Sequence, residues 1–259
     1  MGPEHAGKTR LHTWLALAFW LGVWQLAAWQ IGQEILLVGP LETLQVVIRL
    51  LPTAAFWQRT AASVLHILLG FMLAVTGGVL LAAASSLSEW ARSLVAVPMQ
   101  LIRAAPVASF IILALFWVRG RWLSVLISFL IGLPVVYGAV LQGIRSADRQ
   151  LLEMARVFRL SHGRTLRAIW VPQVMPFFQQ SAVTALGLCV KSGVAAEVIG
   201  LPGKSLGEAL YNAKITLQTG ELFAWTLVII GASALLERLL RHLLRALGKR
   251  FGVQEGEAA

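Results

Sequence analysis

The chain has 259 residues, of which 58% are hydrophobic and 13% charged, with a formal net charge of +10 at pH 7. So apolar a composition excludes an ordinary soluble globular domain and leaves room for about six membrane crossings at roughly 20 apolar residues each. In an integral membrane protein a positive balance reflects Lys and Arg kept on the cytoplasmic side, so nucleic acid is not expected as a partner; with Cys189 the only cysteine, an internal disulfide and a cysteine-based metal site are excluded.

The opening MGPEHAGKTR is expected as a cytoplasmic tail over 1–10. The apolar run behind it, Leu11 to Ile31, is too long for a signal-peptide core and reads as a retained first span carrying Trp14, Trp20, Trp24 and Trp29. Gly39 and Pro40 then open a short surface helix whose Leu44, Val47, Ile48 and Leu51 share one face. A second span is predicted from about Ser63 to Ala84, where Gly70, Gly77 and Gly78 allow close helix approach, and SSLSEWAR follows as a polar loop. The third element, about Leu94 to Val118, holds Pro98 and Pro106 and is expected to be kinked or split. Further spans are predicted at Trp122 to Ile144, Phe177 to Ile199 and Leu222 to Leu244, with 249–259 as a C-terminal tail. The whole reads as an all-α polytopic membrane protein with a single transmembrane domain from 11 to 248 and no internal repeat.

Counting Lys and Arg in the connections sets the orientation. With a cytoplasmic N-terminus, the inside collects Lys8, Arg10, Arg92, the arginines from Arg145 to Arg167, and Arg238, Arg241, Arg245, Lys249 and Arg250. Arg49, Arg59, Arg119, Arg121, Lys204 and Lys214 fall outside, so both termini are expected in the cytoplasm together with the loop 145–172. Within that loop Arg145, Arg149, Glu153 and Arg156 recur at helical spacing, with Leu152, Ala155 and Phe158 on the other side, which predicts a short amphipathic helix. Ser161 is suited to cap a second helix running into Val171, and Pro172 to open the fifth span. Spacing alone does not separate a basic anchor resting on anionic lipid headgroups from a docking element.

EMARVFRLSHGRTLRAIWVP, from Glu153 to Pro172, resembles the EAA loop in permease subunits of bacterial ABC importers. Glu153, Ala155 and Pro172 match a pattern with a Glu-Ala-Ala-like start, a Gly six residues later and a hydrophobic-Pro end. The resemblance covers nearly the whole chain and is closest to the sulfonate, nitrate and taurine branch. RAAPVASFIILALFW from Arg103 resembles its Arg-x-x-Pro segment, and KSGVAAEVIG and SLGEALYNAKITLQT resemble its Ala-Glu and small-Leu-Gly segments. There are two departures: Arg159 stands where Gly is usual, so Gly163 is expected to share the bend, and His66 stands where Arg is common.

The resemblance implies a type I importer (MetI-like) transmembrane domain in the bacterial plasma membrane, with two copies of the subunit forming the pathway. Two separate ATPase subunits would bind ATP and Mg, and an extracytoplasmic binding protein would deliver the substrate. This chain is then expected to hold no cofactor, no metal and no catalytic residue; PGKS at 202–205 lacks the upstream glycine of a phosphate loop. Glu153 to Leu160 would form a coupling helix. Its implied contact runs through Glu153, Met154, Ala155, Arg156, Val157, Phe158, Arg159, Leu160 and Ser161, with Met154, Val157 and Phe158 as apolar anchors.

Ionisable residues inside spans are costly and face a partner or an aqueous cavity. Lys191, near the middle of the fifth span, reads either as a cation on the pathway suited to an anionic substrate or as a support of the dimer or bundle. Glu197 matches the Ala-Glu position and reads as helix-helix or gate packing, Arg103 beside Pro106 as an orienter of the third element, and Ser192, like Ser63 and Asn212, as a path-lining or helix-bonding group. The expected substrate is a small polar or anionic solute such as a sulfonate, taurine or nitrate. An ion-coupled secondary transporter is the alternative, with Glu197 alone to carry its ion site; a membrane enzyme ranks last because His66 and Cys189 stand isolated.

Overall fold

A computed structural model describes residues 3–250, with side chains from 12 to 248, and all regular structure among them is helical. Of the expected tails, residues 1, 2 and 251–259 lie outside the described residues. α1 (Pro3–Ile31) touches little of its own chain, and Trp14, Trp20 and Trp29 are exposed. Its C-terminal half is fastened to the connection just before Gly39, where Trp24 Nε1 donates to the Val38 carbonyl at 3.0 Å. α2 (Pro40–Leu50) starts at the predicted Gly-Pro pair, with Gly39 at its N-cap. The expected apolar face is not the packed one: Leu44, Ile48 and Leu51 are exposed, while Thr43 is buried and donates to the Gly39 carbonyl at 2.9 Å.

The core is three helices, α3 (Ala54–Leu87), α6 (Arg121–Arg145) and α9 (Val171–Gly200), joined by Ile67, Phe71, Val136, Leu186 and Cys189. Small residues set the approach of α3 to α6. A β-carbon at Gly78 would stand 2.9 Å from Val136 Cβ and 3.0 Å from the Tyr137 amide, and one at Gly77 would stand 3.1 Å from Leu133. Gly78→Ala is therefore expected to destabilise by about 1–3 kcal/mol through overpacking. Gly231→Ala, whose β-carbon meets nothing within 4 Å, should gain the usual helical preference of about 0.5–1 kcal/mol. Thermal midpoints of the two purified variants check the contrast.

α3 starts nine residues before the predicted span and continues through Ser85 and Ser86, so SSLSEWAR is not a loop. Ser88 alone is extended before α4 (Glu89–Ala104), because Ser85 is buried and accepts from the Tyr137 hydroxyl at 3.2 Å, which holds the end of α3 in place. The third element is split as expected. Ala105 is extended at ψ 140°, the conformation a following proline imposes, and α5 (Val107–Ala114) leaves α4 at 103°. Five helices are long and apolar enough to cross a membrane, and the α4–α5 pair makes up to six.

α7 (Arg149–Val157) stands apart from the spans, followed by α8 (His162–Thr165) and a π-helical turn, Leu166–Trp170, that runs directly into α9. Helix is thus continuous from His162 to Gly200, well before the predicted Phe177. Pro172 cannot donate to the Ala168 carbonyl, and the widened π turn just ahead of it absorbs that loss. α10 (Leu206–Ile215), which carries part of the SLGEALYNAKITLQT segment, was not predicted as a helix, and α11 (Thr219–Arg250) is the last. Phe56 stacks on Trp225 at 5.5 Å, binding α3 to α11, and Thr219 Oγ1 donates to the Ile35 carbonyl at 2.6 Å.

Candidate functional site

Asp148 starts α7, its carboxylate accepting from the Gln150 amide at 2.8 Å. Gln173 Oε1 in turn accepts from the Asp148 amide at 2.8 Å, which fastens the loop's entry to the base of α9. The helix therefore covers 149–157 rather than 153–160, and Arg145 belongs to the end of α6. The cap was readable as an Asp before an apolar-periodic run; the spacing of arginines drew the helix across it.

The turn after α7 has the geometry of a Schellman motif. Leu160 N donates to the Ala155 carbonyl at 2.9 Å and Arg159 N to the Arg156 carbonyl at 3.0 Å, and Arg159 takes a left-handed φ of 49°. The position where the resemblance expects Gly is thus the one that needs Gly's freedom, and Arg159 meets the demand itself. Gly163 lies inside α8 and shares none of the bend. Arg159→Gly is accordingly expected to raise stability by up to about 1 kcal/mol, read by thermal midpoint.

Ala155 is buried and Leu152 half-buried, so they form the inner face of α7, whereas Phe158 is 72% exposed despite being placed on that face by periodicity. Met154 and Val157 are exposed with it, and so are Glu153, Arg156, Arg159, Leu160 and Ser161. Three large apolar side chains on a polar, basic segment form a patch covered by nothing in this chain.

Inside the spans the ionisable and polar residues separate. Glu197 is 1% exposed; its Oε2 accepts from Ser63 Oγ at 2.6 Å and from the Gly207 amide at 3.2 Å. Ser63 Oγ accepts from the Leu206 amide at 2.8 Å, and Ser205 Oγ from the Glu208 amide at 3.1 Å. The first three amides of α10 are thereby all satisfied, with a carboxylate at the positive end of the helix. Glu197 Oε1 is buried without a hydrogen-bond partner, so Oε2 alone joins α9 to both α3 and α10, beside the direct Ser63–Leu206 link between α3 and α10. Ser192 is buried and donates to the Cys189 carbonyl at 3.3 Å. Lys191 lies on another face of α9, exposed along a stripe with Gln180, Thr184 and Leu188. Arg103 Nη2 donates to the Pro134 carbonyl of α6, next to the α4–α5 break at Pro106. His66 is half-buried on α3. Among the described residues no group of three or more His, Cys, Asp or Glu is placed to hold a metal.

The family described as binding-protein-dependent transport system inner membrane component matches residues 66–252. The chain belongs to that family. The permease is similar to the taurine transport system permease protein TauC of Escherichia coli K12, 26% identical over 242 residues that cover 90% of this chain and 86% of TauC. It is 30% identical over 222 residues to the putative aliphatic sulfonates transport permease protein SsuC of the same organism, covering 84% of this chain and 83% of SsuC. Among solved structures, the methionine ABC transporter MetNI in an inward-facing conformation has the same fold, with a TM-score of 0.57 at 15% identity over 73% of this chain and 93% of that one. The chain is thus a multi-pass permease subunit of a binding-protein-dependent ABC importer; in such importers ATP is hydrolysed by separate subunits. Secondary transport and membrane-enzyme chemistry fall away with this membership.

Two structural features of the permease differ from what its sequence was expected to hold. Ser205 and Glu208 form an S-x-x-E capping pair, a start signal that was available for α10. Glu237, in α11, accepts from Ser233 at 3.2 Å and pairs with Arg241 at 3.4 Å, with Gly187 of α9 leaving room for it. Counting only Lys and Arg for topology hid that acid.

Proposed function

We propose that two copies of this permease enclose the translocation pathway, that both termini are cytoplasmic, and that the loop 145–172 of the 11–248 transmembrane domain couples it to two ATPase subunits. ATP and Mg act in those subunits, and an extracytoplasmic binding protein hands over a small polar or anionic solute such as a sulfonate, taurine or nitrate. The exposed Met154, Val157 and Phe158 on a helix outside the bundle carry the coupling part of this reading. An apolar anchor within a charged rim is the build of a protein contact, with the arginines setting approach and register. Movement of the ATPase pair would reach the spans through Gln173 and the continuous helix 162–200, a rigid lever from the loop to Lys191 and Glu197. Along that lever Lys191 lies on the pathway, Glu197 with Ser63 and Ser192 holds the outer gate, and Arg103 with Pro106 orients the broken third element.

Co-expression with the ATPase of the same importer tests the assembly. The tagged permease is expected to retain the ATPase in a complex of two copies of each, and binding protein loaded with substrate to stimulate hydrolysis. A monomeric permease that supports uptake without ATPase would overturn the reading.

A further inference from the structure

Contacts between α9 and α11 run antiparallel. Gln179 Nε2 donates to the Leu244 carbonyl at 2.8 Å, and about two turns further along α9 a β-carbon at Gly187 would stand 2.8 Å from Glu237 Oε1. Glu237 thus rests its carboxylate on bare backbone near the middle of α9, a seat that any side chain at 187 would fill. Lys191 follows four residues later on the same side of α9, about 6 Å further along the axis. In an antiparallel pair that places it level with Ser233, one turn before Glu237, whose hydroxyl donates to Glu237 Oε1 at 3.2 Å. Long helical side chains lean toward the N-terminus of their own helix. By that rule Lys191 is directed back over Gly187 and Glu237 toward Ser233, so the two stems converge on the gap that Gly187 leaves open.

Arg241 holds the same carboxylate from the cytoplasmic side. Its Nη2 stands 3.4 Å from Glu237 Oε2, longer than a close charge-assisted hydrogen bond, while Oε1 is the oxygen turned to α9. Arg241 also begins the basic run Arg241, His242 and Arg245, so its head can turn to water or headgroups when the carboxylate leaves. Lys191 has no such exit, being near the middle of a span, and among the described residues no acid stands within ion-pair distance of it. Glu197, the other acid of α9 and α11 at that depth, is closed into its contacts with Ser63 and Gly207. A cation inside a span pairs with an acid or meets water, and Glu237 is the acid one turn away. We propose that Glu237 passes between Arg241 and Lys191 during the transport cycle, a positioning residue that neutralises the Lys191 ammonium in one state of the permease and leaves it free in the other. A slide of α9 against α11 by a fraction of a turn suffices, because the carboxylate sits between the two cations. The proposal rests on placing Lys191 on the pathway and adds what controls its charge there.

The test is a pair of double-mutant cycles on the permease–ATPase complex in nanodiscs, read by thermal midpoint without nucleotide and again with ATP and vanadate trapped. One cycle crosses Lys191→Met with Glu237→Gln, the other Arg241→Gln with Glu237→Gln. Each coupling is expected as a non-additive shift of about 3 °C, that of Lys191 in one nucleotide state and that of Arg241 in the other. Gly187→Ala, whose β-carbon displaces the carboxylate from α9, is expected to remove the Lys191 coupling and spare that of Arg241. Additive effects of Lys191→Met and Glu237→Gln in both states would overturn the pair, and couplings of equal size in both states would overturn the exchange. A full Lys191 coupling in Gly187→Ala would overturn the geometry. Uptake in proteoliposomes separates the proposal from the pathway reading on which it rests. Lys191→Met with normal uptake and a non-additive cycle takes Lys191 off the pathway and leaves the ion pair standing; loss of uptake with additive cycles does the reverse.

Discussion

Glu197→Ala is expected to destabilise the permease by about 3–5 kcal/mol. The substitution removes the acceptor of the Ser63 hydroxyl and the Gly207 amide, both buried, and each orphaned group costs about 1–3 kcal/mol, with a cavity term added. Water cannot rescue the amide readily, because Leu206 and Ala209 are 2% exposed beside it. Glu197→Gln keeps an acceptor oxygen where Oε2 stands and is expected to cost no more than about 1 kcal/mol. Fluorescence-detected size exclusion over a temperature ramp reads both. An alanine variant that melts with the wild type would show that α10 is held by its other contacts with α11 and α3, and that the carboxylate is incidental to the C-terminal end of α9.

The same cluster shows what the sequence could and could not convey. Apolar runs of membrane length located the spans, because hydrocarbon thickness fixes a minimum that any crossing helix meets. They did not locate helix ends: α3 runs past Ser85 because a tyrosine on another helix engages that serine, a contact 52 residues away in sequence. Pro106 announced the break between α4 and α5 through local sterics, but the 103° bend depends on what α5 packs against, Ile111 meeting Leu123 and Ile127 of α6 and Ala196 of α9. The loop 145–172 was legible as a motif, and Arg159 flagged its own oddity, since a residue standing where Gly is usual points to a left-handed turn. Which apolar residues of α7 face outward was not legible, since a nine-residue helix ending in a Schellman turn swings Phe158 off the periodic face. Lys191 and Glu197 looked alike as charges in one span. Only the fold puts one of them on an open face of α9 and the other in a closed knot with Ser63 and α10.

Val157→Asp combined with Phe158→Asp is expected to abolish coupling with the fold intact. Both side chains are more than 70% exposed, at 78% and 72%, so neither supports the bundle, and the double variant should elute and melt as the wild type does. If the pair anchors an ATPase groove, introducing two charges there should remove on the order of 2–4 kcal/mol of binding, a roughly 30- to 1000-fold weaker complex. ATPase retained on the tagged permease and uptake in proteoliposomes should then fall together. The competing account of a basic loop, an anchor on anionic headgroups, makes a different forecast. There Arg156→Gln with Arg164→Gln would be the damaging change and its effect would depend on the anionic lipid content, because headgroup attraction scales with charge at about 1 kcal/mol per arginine. Under the coupling account the arginine variant slows assembly and flattens its salt dependence, since rim charges act mainly on encounter rate. A Val157–Phe158 variant with full uptake and full ATPase retention would leave α7 as a lipid anchor and move the search for the coupling contact elsewhere on the exposed face of the loop.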